Sequence, residues 1–217
     1  MRELADGVWQ LKGVPANNVN VYILGDVLID SGAPFGQGRV LKQLEGRELS
    51  AHALTHAHFD HYGASHAVCT KFNIPLWVGE KDVAEVEVGK QIGKIPGRGL
   101  RQLPAAHRHP VERALKEGDE VAGFEVLFTP GHSPGHVSYW RESDRVLVCG
   151  DVMWGYNPFL FAGPIQDPFD LVSPDPDLNR ESARRLAALE PELVLFGHGP
   201  PLRDPAKFQR AVAKLAS

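Results

Sequence analysis

The sequence predicts an α/β protein in which two similar layers pack sheet against sheet, and three observations lead to this prediction. Short runs rich in Val, Ile, Leu and aromatic residues, broken by glycine turns, are typical of β-strands. Each half of the chain runs strands, then a helix, then a strand, and each half places histidines just past strand ends. A chain of 217 residues is long enough for one domain with its own core. We therefore expect a single domain over residues 1–217.

The N-terminal half supplies the first layer. A β-meander is followed by a helix that ends at Gly46, and its apolar residues have helical spacing. A further apolar run predicts a strand, and the segment after it predicts a helix that leads into another strand. The predicted strands of this half are 7–11, 20–24, 27–30, 51–56 and 75–78, and the predicted helices are 38–46 and 62–72.

The C-terminal half supplies the second layer. Its apolar runs again have the length and composition of short strands. Asn179 is the predicted N-cap of the first helix of this half. The predicted strands are 124–130, 137–140, 145–151 and 193–196, and the predicted helices are 179–191 and 205–216.

Two stretches differ from this pattern. Residues 88–117 are rich in glycine and proline and carry seven Lys and Arg against two Glu, a net charge of +5. A long, irregular, basic segment is typical of a functional loop, so we predict a substrate lid, with a solvated surface excursion as the alternative. Residues 152–175 form an aromatic insertion that includes Trp154 and Tyr156.

Charge and composition argue against a nucleic-acid-binding, membrane or disulfide-rich secreted protein. The net charge of −4 predicts no general affinity for nucleic acid or anionic membranes. No stretch approaches the roughly 18 apolar residues of a membrane span, and the N-terminus lacks the apolar run of a signal peptide. Cys69 and Cys149 are too few for a disulfide framework. We expect a cytoplasmic protein, and its oligomeric state is open, with a dimer as one alternative.

The segment THAHFDHYGA, residues 55–64, holds three histidines and an aspartate within six positions. Side chains two apart on an extended chain point the same way. His56, His58 and Asp60 are therefore expected to converge, while His61 points elsewhere. Imidazole and carboxylate ligands suit zinc, iron and other divalent first-row metals, with zinc as the usual choice. The segment predicts a metal site that needs further ligands.

Further ligand candidates come directly after apolar strands of the second half. The run GHSPGH supplies His132 and His136, the pair GD supplies Asp151, and the run GHG supplies His198. Each is flanked by glycine and follows the end of a predicted strand, so its side chain is expected at one edge of the sheets. With one histidine taken from the first run, the candidates reach five histidines and two carboxylates, which suits two metal ions.

In these motifs and in their order, the sequence resembles the metallo-β-lactamase-fold hydrolase superfamily over nearly the whole chain. The resemblance points to the glyoxalase II and lactonase-like branch, but only 19 residues follow His198, so the C-terminal helical region of glyoxalase II is missing. It implies a four-layer αββα sandwich of two mixed β-sheets flanked by helices, with a binuclear site at one edge. Carried over by position, the ligands are His56, His58 and His132 for one metal, Asp60, His61 and His198 for the other, and Asp151 as the bridge.

Supporting roles are expected for several neighbours of these ligands. Asp30 resembles the family's aspartate that orients a ligand histidine, with a simple turn aspartate as the alternative. His136 is expected to be structural, and Cys149 to be a buried neutral thiol. The remaining histidines are expected at the surface or in helices rather than at the metals, and they are His52, His66, His107 and His109.

Two metals that share a water lower its pKa and supply a bridging hydroxide, which is expected to attack an ester, thioester or lactone carbonyl of a small substrate. Asp60 is expected to ligate a metal and also to orient the water or accept its proton. Trp154 and Tyr156 suggest an apolar wall beside the metals. Arg98 and Arg101 suggest an anchor for an anionic end of the substrate.

Other activities stay open. The basic segment suits a phosphodiesterase or ribonuclease-type hydrolase, although the overall charge is negative. Related persulfide dioxygenases use a single iron, but their motif continues differently after Asp-His, where this chain has YGASH. A metal-free binding module is disfavoured because all seven ligands are present. The expected cofactor is two divalent metal ions, with zinc favoured and iron or manganese as alternatives.

Overall fold

The structure, a computed structural model, describes residues 1–89 and 106–215. Within these residues the strands form one sheet of seven and one sheet of five. The first sheet contains β1 (Arg2–Ala5), β2 (Val8–Gln10), β3 (Tyr22–Leu24), β4 (Val27–Ile29), β5 (Ala51–Ala53), β6 (Leu76–Gly79) and β7 (Arg113–Leu115). The second contains β8 (Glu120–Val121), β9 (Phe124–Phe128), β10 (Val137–Arg141), β11 (Val146–Gly150) and β12 (Leu193–Phe196). The helices are α1 (Gln37–Leu44), α2 (Phe59–Tyr62), α3 (Ser65–Phe72), α4 (Val83–Val88), α5 (Pro176–Ala188) and α6 (Pro205–Val212).

The first sheet runs in chain order from β1 to β7. Strands β1 to β4 pair antiparallel, whereas β4, β5, β6 and β7 pair parallel. Parallel neighbours need a crossover, and helices supply it between β4 and β5 and between β5 and β6. Because β4 and β5 are parallel neighbours, Asp30 and the residues from 54 onward emerge at the same edge of the sheet.

The second sheet has the order β12-β11-β10-β9-β8. Strands β8 to β11 pair antiparallel, and α5 provides the crossover that makes β11 and β12 parallel. The carboxyl ends of β11 and β12 therefore share an edge, to which the loop between β9 and β10 also belongs. Residues 129–136, Asp151 and His198 all follow strand ends at this edge.

Three apolar clusters show that the layers are stacked as helix, sheet, sheet and helix. The inner cluster joins side chains of both sheets, such as Tyr22 with Phe124 and Tyr139. A second cluster packs α1 and α3 on the first sheet, and a third packs α5 and α6 on the second. The predicted αββα sandwich of two mixed sheets is confirmed. We retain the interpretation of these layers as one domain, because the inner cluster draws on both sheets.

Several boundaries and elements differ from the predictions. Strands β1, β7 and β8 and helix α4 were not predicted, because each is short and lacks a clear apolar alternation. Residues 90–105 of the predicted lid, with Arg98 and Arg101, lie outside the described residues. The described part of that segment supplies β7, an edge strand, so the segment is not irregular throughout.

The predicted N-cap at Asn179 is wrong. Helix α5 begins at Pro176, and the carboxylate of Asp175 accepts a hydrogen bond from the backbone N–H of Leu178 at 3.0 Å. Proline suits the first helical position, where no intrahelical partner for its missing N–H exists, and aspartate is a strong N-cap. The Asn179 side chain is instead buried, and its Nδ2 donates to the carbonyl of Val152 at 3.0 Å.

Among the described residues, no helix has the length and apolar character required to cross a lipid bilayer.

Candidate metal centre

Three histidines from two loops form the first group of metal-ligating atoms. His56 and His58 follow β5, His132 lies between β9 and β10, and all three are buried. Their ring centroids lie 4.6, 4.9 and 4.4 Å apart. The Nε2 atoms have no hydrogen-bond partner within the described part of the chain. Buried polar atoms without partners are costly, so three converging imidazole nitrogens fit a bound metal ion.

Asp60, His61 and His198 form the second group. The Nε2 atom of His198 lies 3.4 Å from Oδ2 of Asp60 and 3.5 Å from Nε2 of His61. The expectation from simple alternation that Asp60 joins His56 and His58 is wrong. Asp60 already belongs to helix α2, and its carboxylate is grouped with His61 and His198 rather than with His56 and His58. The three residues that the family resemblance implies for the second metal therefore lie together, and their role as ligands stays a prediction.

Asp151 lies between the two groups. Its Oδ2 atom is 3.5 Å from Nε2 of His132, 3.6 Å from Nε2 of His61 and 3.1 Å from Nε2 of His198. Its Oδ1 atom has no hydrogen-bond partner among the described residues, and the side chain is 3% exposed. One carboxylate that faces histidines of both groups fits a bridging position.

Burial and charge set the protonation states in opposite ways for the two groups. Burial lowers the pKa of His58 to about 4, and it lowers the pKa of His56 and His132 well below the usual value. Burial would lower the pKa of His61 and His198 as well, but the nearby carboxylates, with Asp151 the strongest of them, together outweigh burial and raise the pKa of both. The first group thus holds neutral imidazoles, the form that binds metals.

Burial alone would raise the pKa of Asp151. The facing imidazoles of His198 and His61 outweigh that effect, so the pKa of Asp151 lies well below its usual value. Asp151 is therefore an anion surrounded by histidines, and this negative charge favours a cation between the two groups.

Asp30 anchors the ligands that follow β5, which we call the N-terminal ligand segment (residues 56–61). Its Oδ2 accepts a hydrogen bond from Nδ1 of His61 at 2.8 Å. The same carboxylate accepts from the backbone N–H and the hydroxyl of Thr55, each at 2.8 Å. The contact with Nδ1 leaves Nε2 of His61 to face Asp151. The orienting role that the resemblance implies for Asp30 stays a prediction.

Asp82 is a second buried carboxylate, and nothing in the sequence singled it out. It accepts hydrogen bonds from the backbone N–H of Ala57 at 3.0 Å, the hydroxyl of Ser133 at 2.6 Å and the backbone N–H of Gly135 at 2.6 Å. Ala57 lies between two ligand histidines, and Ser133 follows a third. Asp82 therefore ties the N-terminal ligand segment to the loop of His132.

The C-terminal ligand loops carry His132, Asp151 and His198, and these three residues are themselves contacted by neutral groups, although Asp82 also binds the loop of His132. Ser173 Oγ lies 3.1 Å from Nδ1 of His132. The Nε2 atom of His136 accepts a hydrogen bond from the backbone N–H of Asp151 at 3.1 Å. The His136 side chain thus contacts the backbone of Asp151, and its structural role stays a prediction.

The loop of His198 is clamped to residues 17–22 near the N-terminus. Nδ1 of His198 donates to the carbonyl of Asn18. The Asn20 side chain donates to the carbonyls of Phe196 and Gly199 at 2.9 and 2.8 Å, and the Tyr22 hydroxyl donates to Phe196 O at 2.8 Å. These partners are separated by 174 to 180 positions in the chain.

A sequence profile described as the metallo-beta-lactamase superfamily matches residues 14–198, most of the chain. The chain belongs to this superfamily. The probable metallo-hydrolase YflN of Bacillus subtilis (strain 168) is 32% identical over 248 residues, which cover 99% of this chain and 92% of YflN. A hydroxyacylglutathione hydrolase of Bdellovibrio bacteriovorus is 28% identical, over 69% of this chain and 48% of that protein.

Among solved structures, TTHA1623 in a di-iron-bound form is 29% identical. The match has a TM-score of 0.67 and covers 97% of this chain and 96% of that one. The protein is accordingly a metal-binding hydrolase of the metallo-beta-lactamase superfamily, with its histidine and aspartate clusters at the expected edge of the sandwich.

Trp154 and Tyr156, the predicted substrate contacts of this metallo-hydrolase, each have a polar contact that was not expected. The buried Trp154 indole donates from Nε1 to Oδ2 of Asp151 at 2.9 Å. Its ring lies edge-on to His198, with 5.7 Å between centroids. The Tyr156 hydroxyl donates to the carbonyl of Ala16 at 3.3 Å. Trp154 therefore supports Asp151 directly.

His52 is not at the surface or in a helix, as was expected. It lies in β5, a central strand covered on both faces, and it is fully buried. Its Nδ1 donates to the carbonyl of Leu28 at 3.1 Å, and its Nε2 lies 2.8 Å from the hydroxyl of Ser65. Ser65 in turn contacts Ser31 Oγ at 3.1 Å, next to the backbone of His61.

Proposed function

We propose that this metallo-hydrolase cleaves the ester, thioester or lactone bond of a small substrate at a binuclear metal centre. The observation that carries the proposal is the convergence of seven ligand residues in overlapping groups, several of them with buried, unpartnered atoms. Histidine nitrogens and carboxylate oxygens are the donors that divalent first-row metals take in hydrolases.

The two ions would be held by the two groups described above. His56, His58 and His132 would hold one, Asp60, His61 and His198 the other, and Asp151 would lie between them. Zinc is our proposal for the metal, because the donors are imidazoles and carboxylates, with iron and manganese as alternatives. When bound, such ions lower the pKa of a water molecule and stabilise negative charge that develops on a carbonyl oxygen.

Asp60 and Asp30 have different proposed roles beside the metals. The Asp60 side chain is 23% exposed, whereas that of Asp151 is 3% exposed. Asp60 is therefore the carboxylate of the centre that solvent and substrate reach, and it is placed to orient a water and accept its proton. Asp30 holds His61 in one orientation, so that its Nε2 stays aimed at the centre.

An aromatic ladder beside His198 supports an acyl substrate. Trp154 packs on His198 and also on Phe169, and the ring centroids of Trp154 and Phe169 lie 5.6 Å apart. Phe169 in turn stacks on Phe159, with 6.1 Å between their centroids. Phe159 is 57% exposed, so the ladder runs from the ligands to the surface. An apolar acyl chain bound at the centre would lie along it. The relative named hydroxyacylglutathione hydrolase suggests a thioester as the first substrate to test.

The experiment is a metal analysis combined with a substrate panel. Protein purified without chelator and dialysed against metal-free buffer is expected to retain about two zinc, iron or manganese ions per chain. Hydrolysis of a thioester, ester or lactone should disappear with the metals on treatment with chelator. Asp60→Asn should reduce kcat by at least about 100-fold, whereas Asp177→Asn, at a side chain 89% exposed, should leave it unchanged.

Other results would overturn the proposal. Activity on phosphodiesters alone would favour the nuclease-type alternative. One iron per chain, oxygen uptake with a persulfide and no hydrolysis would favour the dioxygenase alternative. Arg98→Ala and Arg101→Ala test the anchor for an anionic end of the substrate. That part of the proposal fails if kcat/KM is unchanged for every active substrate.

A further inference from the structure

A second group of histidines lies outside the metal centre and shares no residue with it. His66 is in the first turn of α3, and His107 and His109 are in the segment that leads into β7. The ring centroid of His66 lies 5.6 Å from that of His107 and 5.3 Å from that of His109. We call these three residues the outer histidine cluster. The side chains of His66 and His107 are exposed, unlike the buried ligands of the main centre.

The geometry points to a further metal site, and we propose that the outer histidine cluster binds a divalent zinc-like cation. The Nδ1 atoms of His66 and His109 lie 3.2 Å apart. Two nitrogens bound to one tetrahedral zinc at about 2.0–2.1 Å are separated by roughly 3.3 Å, so this pair already has the spacing of two ligands. A rotation of the exposed His107 side chain would supply the third nitrogen.

The spacing of these histidines along the chain also suits a metal site. His107 and His109 are two positions apart, the same spacing as His56 and His58, and the ring centroids of both lie within 5.6 Å of that of His66. A third partner then comes from a helix that is distant in sequence. Partial burial lowers the pKa of His109, which favours the neutral imidazole that a metal needs.

A metal at this position would fasten two parts of the structure together. The segment that contains His107 also packs closely against the end of α4, because a Cβ atom at Gly89 would lie 3.0 Å from the carbonyl of Ala106. The cluster would join this packed segment to α3, the helix that follows the N-terminal ligand segment. The proposed site is therefore structural, and it is independent of the hydrolytic activity.

The test is zinc uptake by the holoenzyme after dialysis against metal-free buffer, which leaves the main centre filled. Titration calorimetry with zinc is expected to show one further site per chain, with a Kd of about 10 μM or tighter. The double variant His66→Ala/His109→Ala should bind this zinc at least about tenfold more weakly. Arg108→Ala, between the two loop histidines, is the matched control and should retain the site.

Thermal unfolding gives a second readout that does not depend on catalysis. Zinc at about 100 times Kd should raise the Tm of the holoenzyme by several degrees, and the double variant should lose this shift. Equal zinc uptake by the wild type and the double variant would overturn the proposal. So would a Kd near 1 mM, which is the affinity of an adventitious site. A pure hydrogen bond between His66 and His109 would give that result.

Discussion

Carboxylates contact the N-terminal ligand segment and its neighbour Thr55, whereas the ligand residues of the C-terminal ligand loops are themselves contacted by neutral groups. Asp82 links the two halves, because it also accepts hydrogen bonds from Ser133 and Gly135 beside His132. Asp30 and Asp82 contact residues 55, 57 and 61, while His132, Asp151 and His198 are contacted by a serine, a histidine and a backbone carbonyl. Hydrogen bonds to ionised groups are shorter and roughly twice as strong as neutral ones. The ligand residues of the first half should therefore keep their positions better without metal, and those of the second half should depend more on the bound metal.

The largest effect is expected at Asp82, the carboxylate that contacts both halves. In Asp82→Asn the amide NH2 faces groups that are themselves donors, so buried donors lose their acceptor. We expect a loss of about 3 kcal/mol in the free energy of unfolding of the metal-free protein, measured with denaturant. Asp177→Asn, at an exposed carboxylate, is the control. Equal stability of the two variants would show that Asp82 does not stabilise the two halves of the centre.

Asp30→Asn tests the anionic anchor of a ligand directly. The amide cannot accept hydrogen bonds from His61 and Thr55 as the carboxylate does, so His61 loses its fixed orientation. We expect metal affinity to fall about 100-fold, measured by competition with a chromophoric chelator. Ser173→Ala removes the neutral partner of His132 and should cost less than about tenfold. If Asp30→Asn and Ser173→Ala lost the same metal affinity, the proposed difference between the two halves of the centre would be contradicted.

The pH dependence of stability tests the buried support beneath the N-terminal ligand segment. Burial lowers the pKa of His52 to about 4, below its value of 6.5 in an unfolded chain. Between these values the unfolded state binds a proton that the folded state does not, so stability falls as the pH falls. For the metal-free protein, the decline from pH 7 to pH 5 should be about 2 kcal/mol smaller in His52→Gln than in the wild type. Parallel curves would show that His52 is not the group responsible.

The smallest effect is expected at Trp154, a neutral support of the C-terminal ligand loops. Trp154→Phe keeps an apolar ring but removes the N–H that donates to Asp151. We expect kcat to fall about tenfold while KM changes little, because the lost contact is to a ligand rather than to the substrate. A raised KM at unchanged kcat would instead assign the indole to the wall of the substrate site.

The sequence predicted most of the strands and the ligand residues because both leave local signals. The motif of residues 55–61 is contiguous, and His132, Asp151 and His198 each follow an apolar strand. The convergence of these strand ends at one edge follows from parallel pairing, which the alternation of strands and helices indicates.

What could not be predicted depends on partners that are distant in the chain. Asp82 contacts Gly135, 53 positions away, and no local pattern distinguishes it from a surface aspartate. His52 looks like a polar strand residue until both faces of β5 are known to be covered. The assignment of Asp60 from alternation failed because helix α2 begins one residue earlier, at Phe59.

The clamp between residues 17–22 and the loop of His198 also constrains how the enzyme is made. Synthesis proceeds from the N-terminus, so Asn18 leaves the ribosome 180 residues before the histidine that donates to it. A growing chain can display the complete motif of residues 56–61 while its second ligand group still lacks His198. Assembly of the full centre is thereby postponed until residue 198 has been synthesised.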